Sequence, residues 1–509
     1  MTRGFDAPSE DRLTTLAADL GLSLDDDDAA DYAALAADAV DAVGDVRHAD
    51  SFDPGLAPAD LDGRGGGYRP DDEEDPLNAW LHKTAVRTSD DGPLAGLSVG
   101  LKDSIALAGS PLTLGSSVME GFVPRIDATV VGRLLDAGAE IAGKLNMESF
   151  AWSGRGDLSD YGPVLNPHSP DHLAGGSSSG SGAAPVAGDC DVALGTDQAG
   201  SVRIPSSWCG LVGLKPTYGL VPYTGVVGLE RTIDHVGPMG PSVDVVARVL
   251  DAIAGEDVRE GVRLDERQPR GIGRDDYAAA VGADVDGLSV GVLEEGFGWT
   301  FSEDAVDETV REAARSLESR GVTVESASAP IHERTLSIWP GIATQGGAHC
   351  LLGGGTGTNH RGWAWPRLAR VLDSFASARA NDLPPTVVRS LLVAAHLDDA
   401  YGVEPYAKAR SEAMAARRAY DGLLATYDAL VLPTTAMRAF ERDAEWDRRD
   451  ALDREITTIA NTAMFDLTGH PAVSVPCGTR DGLPVGLQLV GANRDETTLL
   501  ALAAALTDD

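Results

Sequence analysis

Lysine is scarce in this chain of 509 residues, and cysteine is scarcer. Only Lys83, Lys102, Lys144, Lys215 and Lys408 stand among 41 basic residues, so arginine supplies most of the positive charge. Acidic residues outnumber both, 79 to 41, leaving a net charge of -38. A phosphate backbone needs a basic footprint, so neither nucleic acid nor an anionic membrane is an expected partner. An acid-rich, lysine-poor composition instead fits salt adaptation, where carboxylates keep the surface hydrated and the salt screens their repulsion. Cys190, Cys209, Cys350 and Cys477 are far apart and form no C-x-x-C pair, and the ten histidines show no H-E-x-x-H spacing. Free buried thiols are therefore expected, with no metal site and no cofactor. No apolar run approaches the roughly 20 residues that span a bilayer, and "MTRGFDAPSEDRL" lacks the apolar stretch of a secretory signal. A cytoplasmic globular protein is the expectation.

What is present suggests a two-part chain. Tyr32, Leu35, Ala36, Ala39, Val40 and Val43 fall on one helical face after the acidic start Asp25 to Asp28, so the N-terminal region reads as helical. "DGRGGGYRPDDEED", residues 62 to 75, combines glycine, proline and carboxylates and reads as a linker. We thus expect a helical extension with linker over 1–75 and a catalytic body over 76–509. From residue 94 short apolar strands alternate with amphipathic helices, the pattern of an α/β sheet between helical layers. Residues 340–425 are mostly helical and interrupt the strands, as a substrate-side insertion would.

"AGGSSSGSGAAPVAG", residues 174 to 188, has the composition of a flexible spacer. It runs directly into an apolar strand near 191–194 and a second small-residue turn ending at Ser201, which a spacer would not do. Successive N–H groups in such turns make an anion nest, as an oxyanion hole requires. Gly176 to Gly180 also satisfies G-x-S-x-G, with Ser178 as nucleophile, but that motif needs a strand before it and "NPHSPDHLAGG" is a proline-rich loop. A serine can instead be activated by a lysine held neutral by desolvation. Lys102, at the end of the apolar segment "LSVGL", suits that role, although a lysine so placed could equally pair with Asp103.

"GLKD" at 100–103, "GGSSSGS" at 175–181 and "GTDQAGSVRIPSSWCGLVGLKPT" at 195–217 together resemble the amidase signature family, the Ser-Ser-Lys hydrolases of carboxamides. The similarity continues through "TGHPAVSVPCG" from 468 and "GLPVGLQLVG" from 482. It implies a large mixed, twisted sheet between helical layers, with Ser201 as nucleophile, Lys102 as base and Ser177 as the bridge after a cis peptide at Gly176. Backbone N–H groups of Gln198, Ala199, Gly200 and Ser201 would form the oxyanion hole, and Asp197 and Arg203 would brace the turn. The substrate would be a small amide.

Gln198-Ala199 departs from the common "D-T-G-G-S" or "D-I-G-G-S", and alanine at 199 requires a backbone angle that a Cβ tolerates. The glutamine resembles the bacterial amidases found with nitrile hydratases, as do "GLVPYTG" at 219–225 and "ERTIDHVGP" at 230–238. By that resemblance Gln198, Trp152, Trp339 and Phe465 line the acyl pocket, and the N-terminal helices make a homodimer. Two alternatives are the glutaminase subunit of a tRNA-dependent amidotransferase, whose chains usually start nearly at the lysine strand, and a non-catalytic interaction protein, against which the intact Lys102, Ser177 and Ser201 argue.

Overall fold

A computed structural model describes residues 5–46, 52–58, 60–61, 64, 66–355, 357, 361–442 and 448–507. The chain divides into two compact units, Met1–Gly55 and Leu56–Asp509. In the first, helices Glu10–Asp19 and Asp26–Val46 each begin with acidic residues, which suit the positive end of a helix. Tyr32, Leu35 and Val43 of the second helix are exposed.

The division falls ahead of the expected linker. Where described, residues 62–75 are attached to the second unit: Tyr68 pairs with Lys83, and the Asp75 carboxylate accepts the N–H groups of Ala79 (2.9 Å) and Trp80 (2.7 Å). Residues 62, 63 and 65 of that segment lie outside the described residues.

The second unit is built on an 11-stranded sheet. In chain order its strands are β1 (Trp80–Val86), β2 (Ser98–Lys102), β3 (Glu140–Leu145), β4 (Val192–Asp197), β5 (Val212–Lys215), β6 (His235–Gly240), β7 (Ser289–Leu293), β8 (Thr323–Ala327), β9 (Ala429–Pro433), β10 (Ala472–Arg480) and β11 (Leu483–Gly491). Across the sheet they run β1-β3-β2-β4-β6-β5-β10-β11-β9-β7-β8. The sheet is mixed: β3-β2-β4 and β9-β7-β8 are parallel, while the centre from β4 to β9 is antiparallel. Its central strands are apolar on both faces because helices cover both, as residues 483–491, buried throughout, illustrate. Helix Val243–Ile253 starts at Ser242, whose hydroxyl accepts the Val245 N–H, and sends Val243, Val246, Val249 and Leu250 into that core.

Four helices, Thr335–Leu352, Pro366–Arg379, Pro385–Tyr401 and Glu404–Leu424, fill the stretch between β8 and β9. They lie over much of the 340–425 stretch; residues 356 and 358–360 lie outside the described residues. The Ser/Gly tract is no spacer: its end forms helix Ser179–Ala187, buried from Ser179 to Pro185, and Ser181 Oγ donates to Leu194 O of β4 at 3.1 Å.

Candidate active site

β2 and β4 lie side by side in parallel, which brings Lys102 and the end of β4 together. Lys102 is fully buried, and its Nζ lies 2.8 Å from Ser177 Oγ, 2.8 Å from Thr196 Oγ1 and 3.3 Å from Thr196 O. Every one of these partners is neutral. Burial therefore dominates and pushes the amine down to about 7, against the opposing pull of Asp197, Glu148 and Asp234. The Gly176–Ser177 peptide is cis. Its approach is tied down by the Gly176 N–H, which donates to Gly154 O at 2.9 Å, and by Ser177 O, which accepts the Glu148 N–H at 3.1 Å. Ser178 is not presented to a cavity: its hydroxyl lies 3.2 Å from Thr196 O and 3.3 Å from Thr196 N.

Ser201 sits between β4 and helix Arg203–Cys209, on a turn organised by Asp197. One carboxylate oxygen of Asp197 accepts the Gly200 N–H at 2.5 Å, and the other accepts the Val202 N–H at 3.0 Å. Arg203 holds both oxygens through Nη2 and Nε, each at 3.0 Å, and reaches Asp466 at 2.7 Å, Gln488 at 2.8 Å and Thr462 O at 3.0 Å. For Asp197, burial opposes ionisation, yet Arg203 outweighs it and holds the carboxyl well below the usual range. For Asp466 burial wins, reinforced by Asp197, and its carboxyl is raised well above normal. His235 Nδ1 lies 3.2 Å from Asp466 Oδ1 and is held neutral by burial.

These bonds amend the expected oxyanion hole. The Gly200 N–H is committed to Asp197, whereas those of Gln198, Ala199 and Ser201 have no acceptor among the described residues. The alanine at 199 is accommodated because the unusual angle falls at the next residue: Gly200 has φ +130°, and a side chain there would collide with Thr462. Thr462 Oγ1 in turn donates to Ala199 O.

A cavity of about 250 Å³ opens onto Ser201, with Gln198, Ala199, Trp152 and Trp339 in its wall. The Trp339 indole N–H donates to Gln198 O at 2.8 Å. Gln198 Nε2 donates to Tyr223 Oη at 3.0 Å, while its buried Oε1 has no hydrogen-bond partner among the described residues. Lys102 meets Ser177, and Ser201, Gln198, Ala199, Trp152 and Trp339 share the cavity wall, but Phe465 is not part of it. That side chain is fully buried, packed on Tyr420 and His332 with ring centroids 5.0 and 5.8 Å away, and does not line the cavity. Its helix, Ala463–Thr468, turns the ring inward and sends Asp466 to Arg203 instead.

Several neighbours were not anticipated. Thr196 stood inside the "GTD" segment, and the strand pairing of β2 with β4 was the signal that could have linked it to Lys102. Tyr223 lay within "GLVPYTG" but nothing local joins it to Gln198. Arg389 and Asp453 reach the cavity wall from helices Pro385–Tyr401 and Arg448–Thr457, far beyond Ser201 along the chain. Among the described residues no group of three or more His, Cys, Asp or Glu could hold a metal ion.

Comparison with known proteins identifies the family. The chain is 42% identical over 436 residues to an enantioselective amidase of Rhodococcus rhodochrous, covering 85% of this chain and 83% of that one. It is 38% identical over 440 residues to a glutamyl-tRNA(Gln) amidotransferase subunit of Natronomonas pharaonis, covering 84% and 99%. Among solved structures, a peptide amidase in complex with the competitive inhibitor chymostatin superposes with a TM-score of 0.67 at 30% identity over 82% of this chain and 84% of its own. The corresponding glutamyl-tRNA(Gln) amidotransferase chain of Thermotoga maritima gives a TM-score of 0.70 at 27% identity over 86% and 88%. The family model described as Amidase matches residues 71–500, a stretch that contains the whole cavity and both serine turns; the chain belongs to the amidase family, enzymes that hydrolyse carbon–nitrogen bonds of amides.

Proposed function

We propose that this enzyme hydrolyses a small carboxamide to a carboxylate and ammonia through a covalent acyl-enzyme on Ser201. The observation that carries the reading is the 2.8 Å separation of a buried, neutral-leaning Lys102 amine from Ser177, with Ser201 on the cavity wall. Neutral Lys102 takes the Ser177 proton as Ser177 takes that of Ser201, and the freed Ser201 oxygen bonds to the amide carbon. The N–H groups of Gln198, Ala199 and Ser201 stabilise the resulting oxyanion, commonly the largest single contribution to such catalysis. The relay then returns the proton to the leaving nitrogen as the carbon–nitrogen bond breaks and ammonia departs. Water attacks the ester, its proton passes back along the relay, and the carboxylate leaves.

The reading is tested by ammonia release from acetamide, propionamide, benzamide and glutamine, with the chain purified alone in molar KCl and Ser201→Ala beside it. Turnover of a simple amide by the chain alone, lost in the variant, supports it; turnover of glutamine only, and only with added partner proteins, overturns it. Undiminished activity in the variant overturns the mechanism.

A second reading, the glutaminase component of a glutamyl-tRNA(Gln) amidotransferase, draws on one specific observation. Arg389, bonded to Glu455 at 3.2 Å, and Asp453 put both signs of charge on the cavity wall, which suits the carboxylate and ammonium of glutamine. That reading would also give this acidic chain a tRNA-binding complex as partner. The charge of -38 supports a salt-rich cytoplasm as the setting under either reading.

A further inference from the structure

A second cavity, about 20 Å³ in volume, lies directly behind the first. The two share three wall residues, Ala151, Trp152 and Leu229. Beyond them the side chains are mostly apolar, with Leu114, Phe150, Val227 and Leu372 among them, while backbone polar atoms and the Ser104 hydroxyl supply a substantial share of the wall. Ser104 Oγ is buried and has no hydrogen-bond partner among the described residues. Trp152 is itself 8% exposed and stands between the chambers.

The seat of that indole is made to measure. Gly347, in the helix Thr335–Leu352, is packed against the ring edge: a Cβ there would sit 2.7 Å from two of its carbons. A side chain at 347 would push the ring away, so the glycine and the tryptophan occupy one volume between them. At about 20 Å³ the inner chamber holds roughly one water or methyl group.

We infer that Trp152 is the specificity-determining partition of the acyl pocket, closing the reaction cavity off from a small chamber that continues it. The inference rests on the amidase reading. With the indole in place the cavity accepts short or flat acyl groups at Ser201. Without it, both chambers join into one channel, lined largely by apolar side chains, that extends away from the nucleophile and takes a longer unbranched chain.

The test compares propionamide with hexanamide in the native enzyme, in Trp152→Ala, and in Trp152→Ala with Leu372→Trp, which refills the inner chamber from its far wall. Trp152→Ala is expected to raise the hexanamide-to-propionamide ratio of kcat/KM by about tenfold or more, the discrimination a few methylenes provide in an apolar pocket. Refilling is expected to return the ratio toward the native value. Thermal unfolding verifies that each variant is folded. Calorimetric titration of both amides into Ser201→Ala, with and without Trp152→Ala, reads the same preference without turnover. If the native enzyme hydrolyses neither these amides nor acetamide nor benzamide, the proposed function fails while the titration still decides the partition. An unchanged preference in folded Trp152→Ala, by kinetics or by titration, overturns it, as does refilling that leaves the enlarged preference intact.

Discussion

Asp103 is paired with Lys144 and not with its chain neighbour Lys102: Lys144 Nζ lies 2.9 Å from Asp103 Oδ1, and both side chains are buried. Lys102 is the last residue of β2 and Asp103 the first of the turn that follows, and their side chains diverge to different partners although they are covalent neighbours. The other Asp103 oxygen accepts the N–H (2.7 Å) and hydroxyl (2.6 Å) of Thr113. With its nearest carboxylate engaged elsewhere, Lys102 is left among hydroxyls and a carbonyl, and burial can depress its basicity. A strand-end salt bridge to Asp103, which the sequence allows, would have kept the amine charged.

The pH dependence follows in sign. Below about pH 7 Lys102 carries its proton in the folded enzyme and cannot accept another; above that it is neutral and competent. The kcat/KM for a neutral amide should fall about tenfold per pH unit on the acid side and level off above neutrality. An activity that declines between pH 6 and 8 would contradict the assignment of Lys102 as base.

Lys102→Arg places a group that stays protonated where a base is needed. A loss of about 10²–10⁴ in kcat is expected, the range typical of a missing general base, with Ser177→Ala in the same range. Single-turnover kinetics would place the loss in acylation.

Arg203→Met removes the cation that holds Asp197 and Asp466 in a fully buried site. Breaking a buried pair from one side costs about 3–5 kcal/mol, and a denaturant titration in constant high salt should show a loss of that order. Replacing Asp466 by asparagine should be milder, since burial already holds that carboxyl toward its neutral form.

Positions 199 and 200 should respond in opposite ways. Ala199→Gly is expected to retain activity within a fewfold, because the alanine fits the turn as it stands. Gly200→Ala forces a side chain into a positive-φ position against Thr462 and should lose both activity and stability. Similar behaviour of the two variants would overturn this account of the turn.

Tyr223→Phe leaves Gln198 Nε2 without its 3.0 Å partner. Losing one neutral hydrogen bond changes stability by only about 1 kcal/mol. The larger effect should be kinetic, a rise in KM, because Gln198 is then free to turn within the cavity wall.

Local pattern carried much of this fold. The alternation of apolar strands with amphipathic helices located β2, β3, β7 and β8 and the helices between them, since each is an element whose buried face is written in its own residues. The serine turns and Lys102 were legible for another reason: their long motifs resemble those of a known family. Phe465 shows the limit, because an aromatic in an apolar segment packs equally well against a core or a cavity, and only the direction of its helix decides. Asp466 and Gln488 reach Arg203 across more than 260 residues of chain. Such partners belong to the packing of distant elements and leave no periodic trace.

The rarity of lysine has one more consequence. Lys102, Lys144 and Lys215 are all fully buried, and Lys83 is largely covered and bonded to Glu74. Lys408, with a side chain 72% exposed, is then the principal solvent-facing side-chain amine. A succinimidyl ester added to the folded enzyme should label Lys408 well ahead of the other four lysines, which makes that side chain a natural point for attachment to a surface or a dye.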